Sequence, residues 1–371
     1  MLADSLRQWL DAHADSLDEG PAHAHEVLPR LAQHGLFGLG VPVAEGGQGG
    51  SLGDALEAIA GVAGHSLTAG FVFWAQRAFV EYLLQSPNAA LRQRWLPGLL
   101  QGTQAGATGL SNAMKYLGGI EALQVEAAPV APAGTAGDAG SGNADGLALR
   151  GRVPWATNLV PPGRFVVAVA VSRSDGAKPF VAALPGDAAG LQRSADLDLI
   201  ALRGSHTAAL SIEGLQIGPA DVIHADANHF LPRVRPAFMG LQLGLCIGLA
   251  RASLAAASAR AGAGRDVLGG PLQQQRHALE LATATLHAGL SDGRFLDRPQ
   301  ALFRLRLELN DIVQQSLQLE LHASGGRAYH RDQPLGFARR WREAAFIPIV
   351  TPSVTQLQGA LAGAALATTS S

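Results

Sequence analysis

The chain has 371 residues, 47% of them hydrophobic and 16% charged, so it is long enough for two or three domains and apolar enough to bury a large core. Its formal charge of −2, with basic residues dispersed along the sequence, gives no electrostatic footprint for nucleic acid or an anionic membrane surface. The single cysteine, Cys246, cannot form an internal disulfide and lies in an apolar run, which fits a small core residue in a reducing compartment.

From Leu2 to about Leu100 the apolar spacing is helical, with Leu6, Leu10 and Ala14 on one face and Leu28, Leu31 and Ala32 on another. The stretch from Val41 to Gly50, rich in glycine and broken by Pro42, is expected to be a loop. Short β-forming runs then follow at Leu123 to Val130, Leu147 to Val153, Phe165 to Val171, Phe180 to Leu184 and Ala209 to Ile212. Between the first two, Ala131 to Asp145 is nearly all Ala, Gly, Ser, Pro and Asp, and reads as a mobile hairpin tip without a chemical role. From Phe230 onward helix formers dominate, with long helices at Leu272 to Leu290 and Ala301 to Ala323 joined around Ser291-Asp292-Gly293. No run of about 18 uninterrupted apolar residues occurs, so no membrane span is expected. No Gly-x-Gly-x-x-Gly follows a strand and no metal-binding cluster is read. A soluble, cytoplasmic protein is the expectation.

One segment carries recognisable chemistry. Trp155-Ala156-Thr157-Asn158 closes a strand, and a tryptophan two residues from a threonine can give a flavin both an aromatic wall and a hydroxyl at the ring edge that changes charge on reduction. Arg265, just after Gly262 and Gly264, is a candidate pyrophosphate fork. Gly325-Gly326 lets backbone approach a dinucleotide closely.

Several motifs, in order along nearly the whole chain, resemble those of the acyl-CoA dehydrogenases. They are Gly35-Leu36 with Pro42 and Gly46-Gly47-Gln48-Gly49, then Trp95-Leu96-Pro97, Trp155-x-Thr157-Asn158 and Arg203-x-Ser205-x-Thr207. Gly248-Leu249-Ala250-Arg251-Ala252, Arg265-Asp266-Val267-Leu268-Gly269, Gly325-Gly326-Arg327-Ala328-Tyr329, Arg342-Glu343-Ala344 and Thr351-Pro352-Ser353 complete the series. The resemblance implies an α+β, mostly α, fold: an N-terminal helical domain (1–103), a central β-barrel or sandwich (104–226) and a C-terminal four-helix bundle (227–371). It implies FAD, or FMN in the monooxygenase-like branch, held by Ser111, Trp155, Thr157, Arg265, Leu268, Arg276, His322, Gly325, Gly326 and Ser353. It further implies a homodimer or homotetramer with flavin between subunits, a small-molecule substrate of the acyl-CoA kind, and an electron-transfer partner or flavin reductase.

The chain departs from the family at its base. Thr351 stands where the catalytic glutamate is usual, Phe238 at the alternative glutamate position, and Ser111 to Gly119 replaces the family's Thr-Glu-Pro and Gly-Ser-Asp segment. Glu343 and Glu213, the carboxylates nearest these motifs, read as structural. Three functions follow: α,β-dehydrogenation of an acyl thioester, monooxygenation by supplied reduced flavin with His65, Ser111, Asn112, His206 and His322 as candidate donors, or a flavin-binding subunit without catalysis.

Overall fold

The computed structural model describes residues 2–130, 146–262, 266–330 and 336–369. The segment expected to be a hairpin tip, 131–145, and Arg265 lie outside the described residues.

Five helices open the chain: α1 (Asp4–Glu19), α2 (Ala24–Gln33), α3 (Leu52–His65), α4 (Leu67–Leu84) and α5 (Ala89–Leu100). On α1 the expected stripe of Leu6, Leu10 and Ala14 is buried together with Leu17. A capping interaction starts α3, where the Ser51 backbone N–H donates to Asp54 Oδ2 at 2.7 Å. On α4 burial runs without a break from Leu67 to Leu83, so it is a core helix with no solvent face. The glycine-rich stretch before α3 forms a loop that folds back on itself. Gly47 is required there, because a Cβ would sit 2.2 Å from the Val41 carbonyl oxygen.

Next come β1 (Ala105–Thr108), α6 (Ser111–Leu117), β2 (Val125–Pro129), β3 (Leu147–Ala156), β4 (Phe165–Arg173), β5 (Phe180–Pro185), β6 (Leu191–Asp196), β7 (Ala208–Ile217) and β8 (Val222–His224). The strands are ordered β6-β7-β3-β2-β4-β5-β8, and β1 pairs in parallel with the first half of β4. Strand β4 is apolar and buried on both faces over Phe165 to Val171, whereas β7 alternates buried and exposed residues because one of its faces meets solvent. The five strands expected from β-forming runs are present. Three others were not expected, since β1 reads Ala-Gly-Ala-Thr, β6 is polar and β8 has three residues. Helix α6 was likewise unexpected.

The chain ends in α7 (Ala227–Arg260), α8 (Gly269–Ser291), α9 (Arg294–Asp297), α10 (Pro299–Ser324), α11 (Phe337–Phe346) and α12 (Val354–Thr369). Helices α7, α8 and α10 pack on one another, and α12 lies against α10. The 34 residues of α7 have the length and apolarity of a membrane span, which a count of uninterrupted apolar residues passed over; 89% of its most apolar window is buried within the protein. Glycines at 240, 244 and 248 bring α7 close to its neighbours. At Gly248 a Cβ would lie 2.2 Å from the Ala60 carbonyl oxygen of α3, and at Gly240 it would meet only the side chain of Leu290. Ion pairs join the two ends of the chain: the fully buried Asp18 of α1 accepts from Arg342 of α11 at 2.7 Å. Arg339 bridges Asp15 and Glu343.

The two glycines give a paired test. Gly248→Ala forces α3 and α7 apart and is expected to cost about 1–3 kcal/mol in chemical denaturation. Gly240→Ala displaces only a flexible leucine end and is expected to cost less than Gly248→Ala.

Candidate functional site

The elements converge on one cavity of about 210 Å³ between the sheet and the helical bundle. Phe71 and Trp74 of α4, Phe238 of α7, and Phe346 with Ile349, Val350 and Thr351 after α11 form its apolar side. The aromatic rings support each other: Phe71 and Trp74 stack at 5.4 Å, Trp74 meets Phe238 edge-on at 5.2 Å, and Phe71 meets Phe346 at 4.6 Å. Trp74 Nε1 donates to the Phe238 carbonyl at 3.0 Å, which fixes the indole. The facing side is the end of β3, from Arg152 to Thr157, together with Thr108, Gly109, Ser111, Asn112 and Lys115 of the β1–α6 region.

The strand end is held with unusual firmness. Asn158 donates through Nδ2 to Gln76 Oε1 and to the Gly106 carbonyl, both at 2.9 Å. Thr157 Oγ1 lies 2.9 Å from Thr207 Oγ1, which lies 2.7 Å from Ser205 Oγ, and Ser205 donates to the Leu202 carbonyl at 2.6 Å. Asn158, Leu202 and His206 are the non-glycine residues with positive φ among the described residues, at 67°, 57° and 50°. All three flank this chain of hydroxyls. Such backbone costs on the order of 1–3 kcal/mol per residue and persists where surrounding contacts over-determine it.

Of the residues singled out by sequence, the structure brings Ser111, Asn112, Trp155, Thr157, Phe238 and Thr351 to the cavity. Asn112 is not a free donor there. Its amide donates to Glu121 and the Ala122 carbonyl and accepts from the Gln124 backbone N–H, each at 2.9 Å, and so staples the 118–124 loop. Leu268, Arg276, His322, Gly325, Gly326 and Ser353 do not line the cavity. Leu268 is half-buried before α8, Arg276 is exposed and bonded to Ser258, and His322 is exposed on α10. Gly325, at φ 58°, opens the turn that ends α10, with Gly326 beside it facing open space. Ser353 caps α12, its backbone N–H donating to Gln356 Oε1 at 2.8 Å. His65 is tied to Asp11 at 2.6 Å, away from the cavity.

Sequence reasoning missed one residue outright. Glu121 lines the cavity and is its one carboxylate among the described residues, while Glu343 is buried against Arg339 and Glu213 is exposed on β7. The hydrogen bond from Asn112, followed by the contact with Lys115 at 3.2 Å, holds the Glu121 carboxyl below the usual range. Its link to the site depends on the fold of α6, so no local motif could have shown it. The Thr351 carbonyl accepts from Gln242 Nε2 at 3.1 Å. Among the described residues Arg152 forms no ion pair and stands exposed at the rim.

These walls suit a flat ring. Trp155 keeps 38% of its surface open, and Thr157 and Ser111 line the same cavity, which places an aromatic face near hydroxyl-bearing residues as a flavin ring needs. The cavity is smaller than the roughly 300–1,000 Å³ common for ligand sites, so most of a dinucleotide would lie outside it.

Residues 1–103 match the family model described as acyl-CoA dehydrogenase, N-terminal domain. The Bacillus subtilis (strain 168) protein named "Probable acyl-CoA dehydrogenase YngJ" is 23% identical over 278 residues, which span 72% of this chain and 69% of that protein. Butyryl-CoA dehydrogenase from Megasphaera elsdenii superposes with a TM-score of 0.76 at 16% identity, covering 99% of this chain and 99% of that one. Dibenzothiophene monooxygenase TdsC from Paenibacillus sp. A11-2 superposes with a TM-score of 0.72 at 17% identity, covering 95% of this chain and 93% of that one, and has also been solved with FMN bound. The N-terminal residues therefore match the acyl-CoA dehydrogenase N-terminal model, and the chain as a whole shares the fold of this dehydrogenase and this monooxygenase.

His206, beside the hydroxyl chain, has neither ring nitrogen hydrogen-bonded and is buried. Burial pushes its pKa down, against the opposing pull of Asp196, with Arg193 and His25 adding to the lowering. A histidine with a lowered folded pKa takes up its proton more readily when unfolded. Its contribution is therefore present above the unfolded pKa of about 6.5 and is lost as pH falls below it. Denaturation series from pH 7.5 to 5 are expected to show a steeper loss of stability in the wild type than in His206→Asn, a substitution that tolerates the same positive φ.

Proposed function

We propose that this chain is a flavin-dependent oxidoreductase of the monooxygenase kind, acting on a small, largely apolar and planar substrate, with reduced flavin delivered by a separate reductase. The observation that carries this reading is the cavity's acid–base content. Desaturation of a thioester needs a carboxylate to take the α-proton, and among the described residues the cavity offers only Glu121. That carboxylate is held ionised by Asn112 and Lys115, which makes it a weak base. The Thr351 hydroxyl, at the position the family resemblance assigns to the base, is weaker still.

Trp155, Thr157 and Ser111 would hold the flavin ring. A reduced flavin held there would supply two electrons to dioxygen, so that one oxygen atom would enter the substrate and the other leave as water. The residues of this chain do the rest. Phe71, Trp74, Phe238 and Phe346 exclude water and position a flat substrate against the ring, and the bonded Trp74 indole keeps that wall rigid. The small cavity leaves the remainder of the cofactor outside it, in keeping with a homo-oligomer whose second copy contributes the region around Leu268, Arg276 and Gly325-Gly326. The ring-binding half of the site serves FAD and FMN alike.

The test is an anaerobic absorbance titration of the flavin-loaded protein. No acyl-CoA in a panel of chain lengths is expected to bleach the flavin, whereas a reductase supplying reduced flavin in air is expected to yield oxygenated product from aromatic heterocycles by mass spectrometry. Stoichiometric bleaching by any thioester would sink the reading and restore dehydrogenation. Trp155→Ala is expected to weaken flavin binding by about tenfold, the factor that losing one aromatic stacking contact of ~1.4 kcal/mol implies, as read by fluorescence titration.

A further inference from the structure

Beyond its aromatic wall and its strand-end hydroxyls, the cavity has a polar corner lined by Arg152, Gln124, Glu121 and Lys115. Strand pairing and the 118–124 loop bring the four together. The Arg152 backbone N–H donates to the Gln124 carbonyl at 3.4 Å, and Asn112 fixes the loop that carries Glu121. The charges in this corner do not cancel. Glu121 is committed to Lys115 at 3.2 Å, which leaves the Arg152 guanidinium without a counter-ion among the described residues. On β7 the residue opposite Arg152 is Ser211, while Glu213, the one acid of that strand, stands opposite Arg150. A second polar group in the corner is also incomplete: Gln124 Oε1 is buried and has no hydrogen-bond partner. An unpaired buried amide end beside an unpaired cation marks a place where a ligand group completes the bonding.

We propose that this corner receives a carboxylate of the substrate, so that the substrate class is a flat aromatic acid and Arg152 selects the acid over the neutral ring. This rests on the reading of the cavity as a substrate site and goes beyond it by naming the charged group the substrate carries. A guanidinium presents two parallel N–H groups in one plane, which matches the two oxygens of a carboxylate. The Gln124 amide has a donor end and an acceptor end of the same shape, so turned about its last bond it offers N–H to the same anion. One unpaired cation next to the Glu121 carboxylate suits a single negative charge better than a phosphate dianion. The opposite wall of Phe71, Trp74, Phe238 and Phe346 takes the ring, which turns the acid toward the rim, where Arg152 is exposed. There the acid keeps part of its hydration, so binding avoids the full cost of burying an ion.

The experiment measures dissociation constants of the full-length protein by equilibrium dialysis for 2-naphthoate and for 2-naphthamide, which have the same ring and nearly the same shape and differ in charge. The acid is expected to bind about fivefold more tightly, the upper range for a partly exposed ion pair, and the preference is expected to shrink in 1 M salt. Arg152→Gln is expected to bring the ratio to about one while leaving 2-naphthamide unchanged. Gln124→Glu, which supplies Arg152 with an internal carboxylate, is expected to do the same and decides the matter if the first variant does not fold. Equal affinities in the wild type, a preference that survives Arg152→Gln, or binding of neither compound overturns the inference. The flavin reading is judged apart, by fluorescence titration with FMN and riboflavin, since the ring compounds are measured without cofactor. An FMN affinity that falls in Arg152→Gln while that of riboflavin does not assigns the guanidinium to the cofactor phosphate, which overturns the inference and leaves the flavin reading in place.

Discussion

The side-chain amide of Gln76 is the joint on which the site depends. It is fully buried on α4, and each of its four hydrogen-bonding positions is used. Nε2 donates to the carbonyls of Leu99 and Gln104, both at 2.9 Å, and Oε1 accepts from the Gly106 backbone N–H at 2.6 Å and from Asn158 at 2.9 Å. One side chain thus ties the core helix to the end of α5, to the first strand of the sheet and to the turn after Thr157. A buried amide with any of these bonds missing would carry the full desolvation penalty, so the four elements are held in one arrangement.

From that joint the two walls of the cavity acquire different characters. The helical wall is built of rings whose mutual contacts leave them little freedom, while the sheet wall is a strand end whose hydroxyls are joined in a chain. Helix α6 lines the cavity, and its Asn112 and Lys115 restrain Glu121, the one carboxylate there among the described residues. A flat wall, a small volume and a restrained carboxylate are the features on which the proposed oxygen chemistry rests.

Much of this was legible before folding. The apolar stripes of α1 and α2, the five long or regular strands and the helices around residues 272–290 and 301–323 follow from periodicity, because each buries one continuous face. The Trp155-x-Thr157-Asn158 motif marked the strand end by itself. Strands β1, β6 and β8 escaped notice since they are short, small or polar and exist only by pairing with stronger neighbours. Helix α6 escaped because seven residues carry too little pattern. Asn112, read as a donor to a ligand, proved to be a loop staple, since the partners of an amide are set by what the chain brings near it.

The sequence by itself determined the order of helical, β and helical regions, the apolar core and the identity of the aromatic and hydroxyl residues at one strand end, since these depend on local periodicity and on side-chain chemistry. Only the tertiary structure decided that Thr351, Phe238, Ser111 and Thr157 share a cavity, that Glu121 is its carboxylate among the described residues, and that Thr157 joins the hydroxyls of Thr207 and Ser205. Those are properties of contacts between residues 50 to more than 200 positions apart, and no reading of neighbouring residues along the sequence reaches that far.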